Sequence, residues 1–221
     1  MSVTDPCILV DESDKVVGTA NKRDAHLLTN IQAGMLHRAF SVFLFSKDRK
    51  NLLIQQRAPS KATFPNMWSN TCCSHPQTNF PGETDETDAI GVKKAATRRL
   101  SFELALEDNA VPFQEMSYIT RIHYYVRNLP EDNLLGEHEI DYILFTFTDL
   151  EVGKPNPDEV SKTSYISREE LQMRMRARPQ DFTPWFRLIA DNFLFEWWNK
   201  IHDLDSIRDH QTIHNFCVLK T

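Results

Sequence analysis

The chain has 221 residues, of which 41% are hydrophobic and 10% aromatic, enough for a sizeable core and too apolar for a disordered chain. A formal charge of -6, from 25 basic and 31 acidic residues, argues against a general nucleic-acid or anionic-membrane surface, which needs a positive field, while leaving room for a local basic pocket. Four cysteines, two of them adjacent, make no disulfide framework, so a reducing compartment, the cytoplasm, is expected.

The N-terminus has neither the basic start and apolar run of a secretory signal nor the Arg/Ser richness of a transit peptide. No apolar run approaches membrane-spanning length. Apolar runs at 7–10 and 16–18, separated by the acidic turn 11–15, predict a hairpin. Residues 21–34 lack sustained periodicity and read as a long loop holding Lys22, Arg23 and His26 near the surface. Residues 39–45 and 52–54, joined by a polar turn, predict a second hairpin. Arg57 and Lys61 follow it as solvated cations, unless something anionic sits nearby.

The stretch Asn70-Thr71-Cys72-Cys73-Ser74-His75-Pro76 is the leading site candidate. If 67–73 is extended, Cys73 and His75 share one side, Cys72 and Ser74 the other, and Pro76 ends the strand. Adjacent cysteines suit core packing, a reactive thiol or structural zinc. Zinc usually needs a second ligand pair, and Cys7 and Cys217 are solitary in the sequence.

Helical spacing of Ala89, Val92, Ala96 and Leu100 predicts a helix over 88–104 with acids favouring its N-terminal dipole. Arg99 and Glu103 are i,i+4 neighbours in it and read as a surface ion pair. Residues 118–126 and 137–147 read as strands joined by a polar loop over 128–136. Period two puts Glu137, Glu139 and Asp141 on one face of the second strand, where burial is costly unless a cation or solvent compensates. A short strand over 162–166 runs into a helix that Ser167 caps, with Glu170 at its third position. Pro184 opens a last helix with Trp185, Ile189, Phe193 and Trp197 at four-residue spacing, a packing stripe. Residues after 199 read as an irregular tail.

Together His26, His37, His75, Glu137 and Glu139 supply three imidazoles and two carboxylates, a set suited to a divalent cation such as Mg²⁺, Mn²⁺ or Zn²⁺. Lys22, Arg57 and Lys61 supply a cradle for phosphate oxygens.

Four stretches in this order, Leu36-His37-Arg38-Ala39-Phe40-Ser41-Val42, the Cys72-Cys73 run, Gly136-Glu137-His138-Glu139-Ile140-Asp141-Tyr142 and Thr183-Pro184-Trp185-Phe186, resemble the type 1 isopentenyl-diphosphate isomerases of the Nudix superfamily. The resemblance spans about Cys7 to Trp198. It implies an α/β (α+β) fold: a Nudix-like mixed β-sheet between helices, with N-terminal strands and a C-terminal helical extension. One domain is expected over 1–221, with a core of about 36–178. It also implies interconversion of isopentenyl and dimethylallyl diphosphate, with Cys73 and Glu139 as the catalytic pair. Tyr124 and Trp185 match the aromatic residues beside the reacting carbons. His26, His37, His75, Glu137 and Glu139 match the ligands of one metal, and Glu103 the acid for a second, diphosphate-bound Mg²⁺. Lys22, Arg57, Lys61 and the Ser74 backbone match the substrate contacts. The expected partner is a small-molecule diphosphate, with no nucleic acid, no membrane insertion and a monomer, a dimer being the alternative.

A hydrolase of the same superfamily carries Arg-Glu, then Glu-Glu and a Gly, whose carboxylates hold the metals that assist water attack. Here the matching run is Arg98-Arg99-Leu100-Ser101-Phe102-Glu103-Leu104-Ala105. Only Glu103 of those acids is present, and Ala105 stands at the Gly. The depleted box favours isomerase over hydrolase, and intact Cys73 and Glu139 favour either over a binding protein.

Overall fold

The computed structural model describes residues 5–128 and 134–217. Residues 1–4, the 129–133 part of the polar loop and residues 218–221 lie outside the described residues. Strands β1 (Pro6–Val10) and β2 (Val16–Asn21) form the first hairpin, whose turn Asp11 closes by accepting from the Ser13 and Lys15 N–H groups. The expected surface loop is instead two short helices, α1 (Lys22–His26) and α2 (Leu28–Gln32), with His26 and Ile31 buried. Asn21 caps α1 by accepting from Asp24 N. Five residues are little more than one turn, too short to show a helical period.

The next elements are β3 (His37–Phe45), β4 (Asn51–Arg57), β5 (Trp68–Ser69) and β6 (Cys72–Ser74). The strand predicted over 67–73 is thus broken at Asn70 and Thr71, whose buried side chains bond backbone carbonyls. Then follow α3 (Ile90–Leu104), β7 (Ser117–Arg127), β8 (Gly136–Phe147), β9 (Val160–Ser167) and α4 (Arg168–Ala177). Ser167 accepts from Glu170 N, as its capping position predicts.

The sheet runs β10 (Ile213–Asn215), β7, β8, β3, β1, β2, with β3 parallel to β8 from His37 opposite Glu139 to Phe45 opposite Phe147. The other edge of β3 takes three antiparallel partners in succession: β1 at His37, β6 at Phe40 to Val42, and β4 at Leu44 and Phe45. The sheet branches there, bringing β1, β6 and β8 to neighbouring positions around one strand. Alternation along β3 separates two cores. Phe40, Val42 and Leu44 join Ile140 and the α3 residues Val92, Ala96 and Leu100, while Phe43 and Phe45 join Ile143, Phe145 and the C-terminal helices. The mixed sheet between helices is the expected fold.

Helix α3 begins at Ile90, not Asp88, because Asp88 (φ 47) and Ala89 (φ 55) are left-handed, and Asp88 pairs with Lys93 at 2.7 Å. No acid stands in its first turn, so the expected dipole contact is not made. Its other end explains the missing glycine: Ala105 caps the helix at φ 52, ψ 47. A Cβ is strained in that region and Ala105 is exposed, so nothing packed is lost without it. Ala105→Gly is expected to stabilise the protein by about 1 kcal/mol in chemical denaturation, with the slope unchanged.

At the C-terminus, α5 (Pro184–Ile189) passes through a π-helical segment, Ala190–Leu194, into α6 (Phe195–Asn199). This accounts for the four-residue spacing of the aromatic stripe: α turns of 3.6 residues and wider π turns average close to four. The tail read as irregular adds a strand, β10 (Ile213–Asn215), parallel to β7 with Ile213 opposite Arg121. Among the described residues no helix is long and apolar enough to cross a membrane.

Candidate active site

A cavity of about 320 Å³ opens beside the branch of β3, within the range of small-ligand sites. One part of its lining is His26, His75, Glu137 and Glu139, four members of the five-residue cluster expected from the sequence, and the fifth, His37, touches Glu139 and His75 behind them. His37 and Glu139 are opposite each other in the parallel β3–β8 pair, Glu137 lies two residues earlier on the same face, His75 follows β6, and His26 ends α1. Glu139 Oε1 lies 2.9 Å from His75 Nε2 and 3.2 Å from His37 Nε2, while His26 Nε2 is 2.8 Å from Glu137 Oε2. One ligand atom from each of the five falls within 4.8 Å of all the others, and all five residues are buried.

The chemistry of this donor set fits a divalent cation. Two carboxylates buried among three imidazoles make an oxygen- and nitrogen-donor set that a divalent cation would bridge, and Glu137 beside His26 outweighs burial and raises that imidazole. Burial pushes His75 well below its usual value and outweighs the pull of Glu139; His37 is lowered for the same reason. Burial alone would raise Glu139, yet its bonds to His37 and His75 hold it well below the usual carboxylate range. His26 Nδ1 lies 2.6 Å from the Lys22 carbonyl, which only accepts. Nδ1 therefore carries a proton, which leaves Nε2, facing Glu137, as the atom that would bind a cation once its own proton is lost.

Cys73 and Cys72 face opposite ways, as alternation predicts. Cys72 is fully buried in the α3-side core, whereas Cys73 lines the cavity. The Cys73 thiol donates to Asn70 Oδ1 at 2.9 Å and accepts from Trp185 Nε1 at 3.2 Å. Ser41 and Ser69 hydroxyls stand 3.6 and 3.7 Å from the sulfur. Burial, with Asp141 adding to it, pushes the thiol up to about 12, a direction that favours the neutral thiol over the thiolate. Tyr124 donates to Glu139 Oε2, and burial followed by Glu139 raises its phenol well above the usual value. Tyr125, on the alternate face, binds Arg127 instead. Trp185 is buried at the start of α5 and packs edge-on against Phe64 at 5.3 Å.

Lys22, Arg57, Lys61 and Ser74 also line the cavity, so the basic side chains are gathered there rather than scattered in solvent. Burial, then repulsion from Lys61 and Arg99, pushes the Lys22 ammonium down to about 8, a state that a bound anion would relieve. Arg57 is buried, donates to the Thr63 and Phe64 carbonyls, and lies 5.4 Å from the Trp185 ring centroid. Lys61 pairs with Glu159, a buried lining acid not marked by any sequence period. Glu159 accepts in turn from an Arg99 guanidinium nitrogen at 3.2 Å, and the same nitrogen holds Glu103 at 2.7 Å. The Arg99–Glu103 pair is therefore buried, not the surface pair expected. Glu103 also accepts from Gln55 at 3.2 Å and does not line this cavity. Of the thirteen expected site residues two do not line the cavity: His37, joined to it through Glu139 and His75, and Glu103, joined to it through Arg99 and Glu159.

Sequence reading also missed the polar collar around the thiol. Ser69 donates to Asn70 and meets Thr183 at 3.1 Å, and Ser41 donates to Asp141 at 2.8 Å. The acid-bearing face of β8 and the Asn70 motif were the available signals.

The Nudix domain model matches residues 35–186. Isopentenyl-diphosphate Delta-isomerase 1 of Bos taurus is 47% identical over 211 residues, covering 94% of this chain and 90% of that one. Isopentenyl-diphosphate delta-isomerase of Gibberella zeae is 50% identical over 213 residues, covering 94% and 81%. The fold is similar to a solved Deinococcus radiodurans protein, at TM-score 0.55 and 20% identity over 86% of this chain and 99% of that one. A NUDIX hydrolase of Alicyclobacillus acidocaldarius reaches 0.53 at 9% identity over 77% and 96%. Since likeness in fold extends to hydrolases while likeness in sequence over nearly the whole chain runs to the isomerases, this chain belongs to the isopentenyl-diphosphate isomerase branch of the Nudix family.

Proposed function

We propose that this protein interconverts isopentenyl and dimethylallyl diphosphate, and that Cys73 and Glu139 exchange the protons. The observation that carries the proposal is the placement of Cys73 and Glu139 in one cavity, where burial favours the protonated thiol and the bonds from His37 and His75 favour the ionised carboxylate. Moving a double bond without redox adds a proton at one carbon and removes one from another, through a tertiary carbocation-like state. In the forward direction the Cys73 thiol gives a proton to the terminal alkene carbon, C4. Glu139, hydrogen-bonded to Tyr124, takes one from C2. Each group ends the turnover in its partner's former state, and exchange with solvent resets both. The reverse reaction exchanges the roles.

Lys22, Arg57, Lys61 and the Ser74 backbone hold the diphosphate. His26, His37, His75, Glu137 and Glu139 would hold the divalent cation, Mg²⁺, Mn²⁺ or Zn²⁺, which supplies positive charge that keeps Glu139 ionised and fixed in orientation. Glu103 serves a diphosphate-bound Mg²⁺ only if Arg99 releases it. A reducing compartment such as the cytoplasm suits the chemistry, because Cys73 works as a thiol. One chain supplies every proposed group, so a monomer suffices for the reaction and a dimer would carry two such sites.

Trp185 faces the cavity with its indole N–H engaged by Cys73, leaving the π system to meet positive charge on the substrate. A desolvated cation–π contact is worth about 2 kcal/mol, or roughly 30-fold in rate. Trp185→Leu should be slower by about that factor, with Trp185→Phe between it and the parent. Equal turnover of the two variants at equal folding reduces Trp185 to a packing residue.

The test of the whole reading is incubation of purified protein with isopentenyl diphosphate and Mg²⁺, following both the allylic isomer and free phosphate. Isomer without phosphate is expected. Phosphate release in its place would assign the chain to the hydrolases.

A further inference from the structure

A second cluster of ligand-type side chains lies apart from the cavity. His123 comes from β7, His138 from β8, and Cys217, solitary in the sequence, from just beyond β10, so neighbouring strands of one sheet converge. The Nε2 atoms of the two histidines are 2.9 Å apart, Cys217 Sγ is 3.6 Å from His138 Nε2, and all three ligand atoms lie within 4.8 Å. Both imidazoles are buried, at 2% and 4% exposure.

His138 Nδ1 lies 2.8 Å from the Met35 carbonyl. A carbonyl only accepts, so Nδ1 carries the proton and Nε2 directs a lone pair into the cluster. The same device orients imidazoles that bind metal. Two histidines and a thiol are a borderline-soft donor set, the kind that selects zinc over magnesium. Around a tetrahedral zinc ion an imidazole nitrogen and a thiolate sulfur stand about 3.5 Å apart, close to the separation found here. The two nitrogens need to open by only about 0.4 Å to reach the corresponding spacing. A hydrogen bond between the imidazoles would explain their approach but not the sulfur beside them.

We propose that His123, His138 and Cys217 bind one Zn²⁺, with water in the fourth position. Binding replaces the thiol proton, which leaves to solvent, and forms a sulfur–zinc bond. The ion ties the C-terminal edge strand to β8, on the face opposite Glu137 and Glu139. It is a structural staple behind the active site, not a member of it.

The test titrates the metal-free full-length chain with Co²⁺ alone. The five-residue cluster offers nitrogen and oxygen only. A sulfur-to-cobalt charge-transfer band in the near ultraviolet therefore reports Cys217. The band is expected in the parent, in Cys73→Ala and in His37→Ala, and should vanish in Cys217→Ala and weaken at least tenfold in affinity in His123→Ala. Zn²⁺ should displace it, and zinc content should fall by one ion per chain in Cys217→Ala. Circular dichroism on each variant separates loss of a ligand from loss of fold. No band in the parent, a band that survives Cys217→Ala, or one lost in Cys73→Ala would each overturn the proposal.

Discussion

Cys73→Ala is expected to lower isomerisation by about 10²–10⁴-fold, the contribution of a positioned proton donor, while fold and diphosphate binding persist. The thiol lines the cavity and is fixed by Asn70 and Trp185, and no other thiol among the described residues lines it. The adjacent cysteine is a built-in control. Cys72 lies in the α3-side core with no exposure, so Cys72→Ala removes a small buried side chain and should cost about 1 kcal/mol with turnover retained. Deuterium incorporation from heavy water into C2 and the methyl groups reads each proton transfer separately. Exchange at the parent rate in Cys73→Ala, or a folded but inactive Cys72→Ala, would refute the assignment of roles to this strand.

His37→Ala and Glu137→Ala should each lower metal content and activity in parallel. Outer residues that merely orient ligands are worth about 10–100-fold in metal affinity, so direct ligands are worth at least that. His37 is wholly buried and set opposite Glu139 by the strand register, so its loss also removes one of the two imidazoles that contact that buried carboxylate. Elemental analysis after dialysis, beside turnover at saturating Mg²⁺, makes the comparison. Full metal content with full activity in both variants would dissolve the five-ligand site.

Much of this arrangement could be read in the sequence because acids in an apolar strand are costly and therefore conspicuous: Glu137, Glu139 and Asp141 mark one face of β8 by period alone. The paired cysteines separated correctly for the same reason, although Asn70 and Thr71 break the predicted strand. Depth was less legible. Spacing shows that Arg99 and Glu103 are neighbours, but only the packing of α3 shows that both are buried. The helices α1 and α2 are too short for a period, so His26 was expected at the surface and is found inside. Strand β10 escaped because three residues carry no pattern, and its partner in β7 lies about ninety positions earlier in the chain. Glu159 and the Cys217 cluster are likewise products of long-range folding, which no local spacing encodes.

The π turn at Ala190–Leu194 has a consequence for how sequence length maps onto shape. Trp185, Ile189, Phe193 and Trp197 recur at offsets of four, four and four. Taking one residue out of the π turn leaves offsets of four, three and four, the stripe of an uninterrupted α-helix. The bulge thus absorbs one extra residue without rotating either flank off the core. A chain one residue shorter here would present the same aromatic face, and a correct alignment to it would set its gap inside 190–194 rather than in the loops on either side.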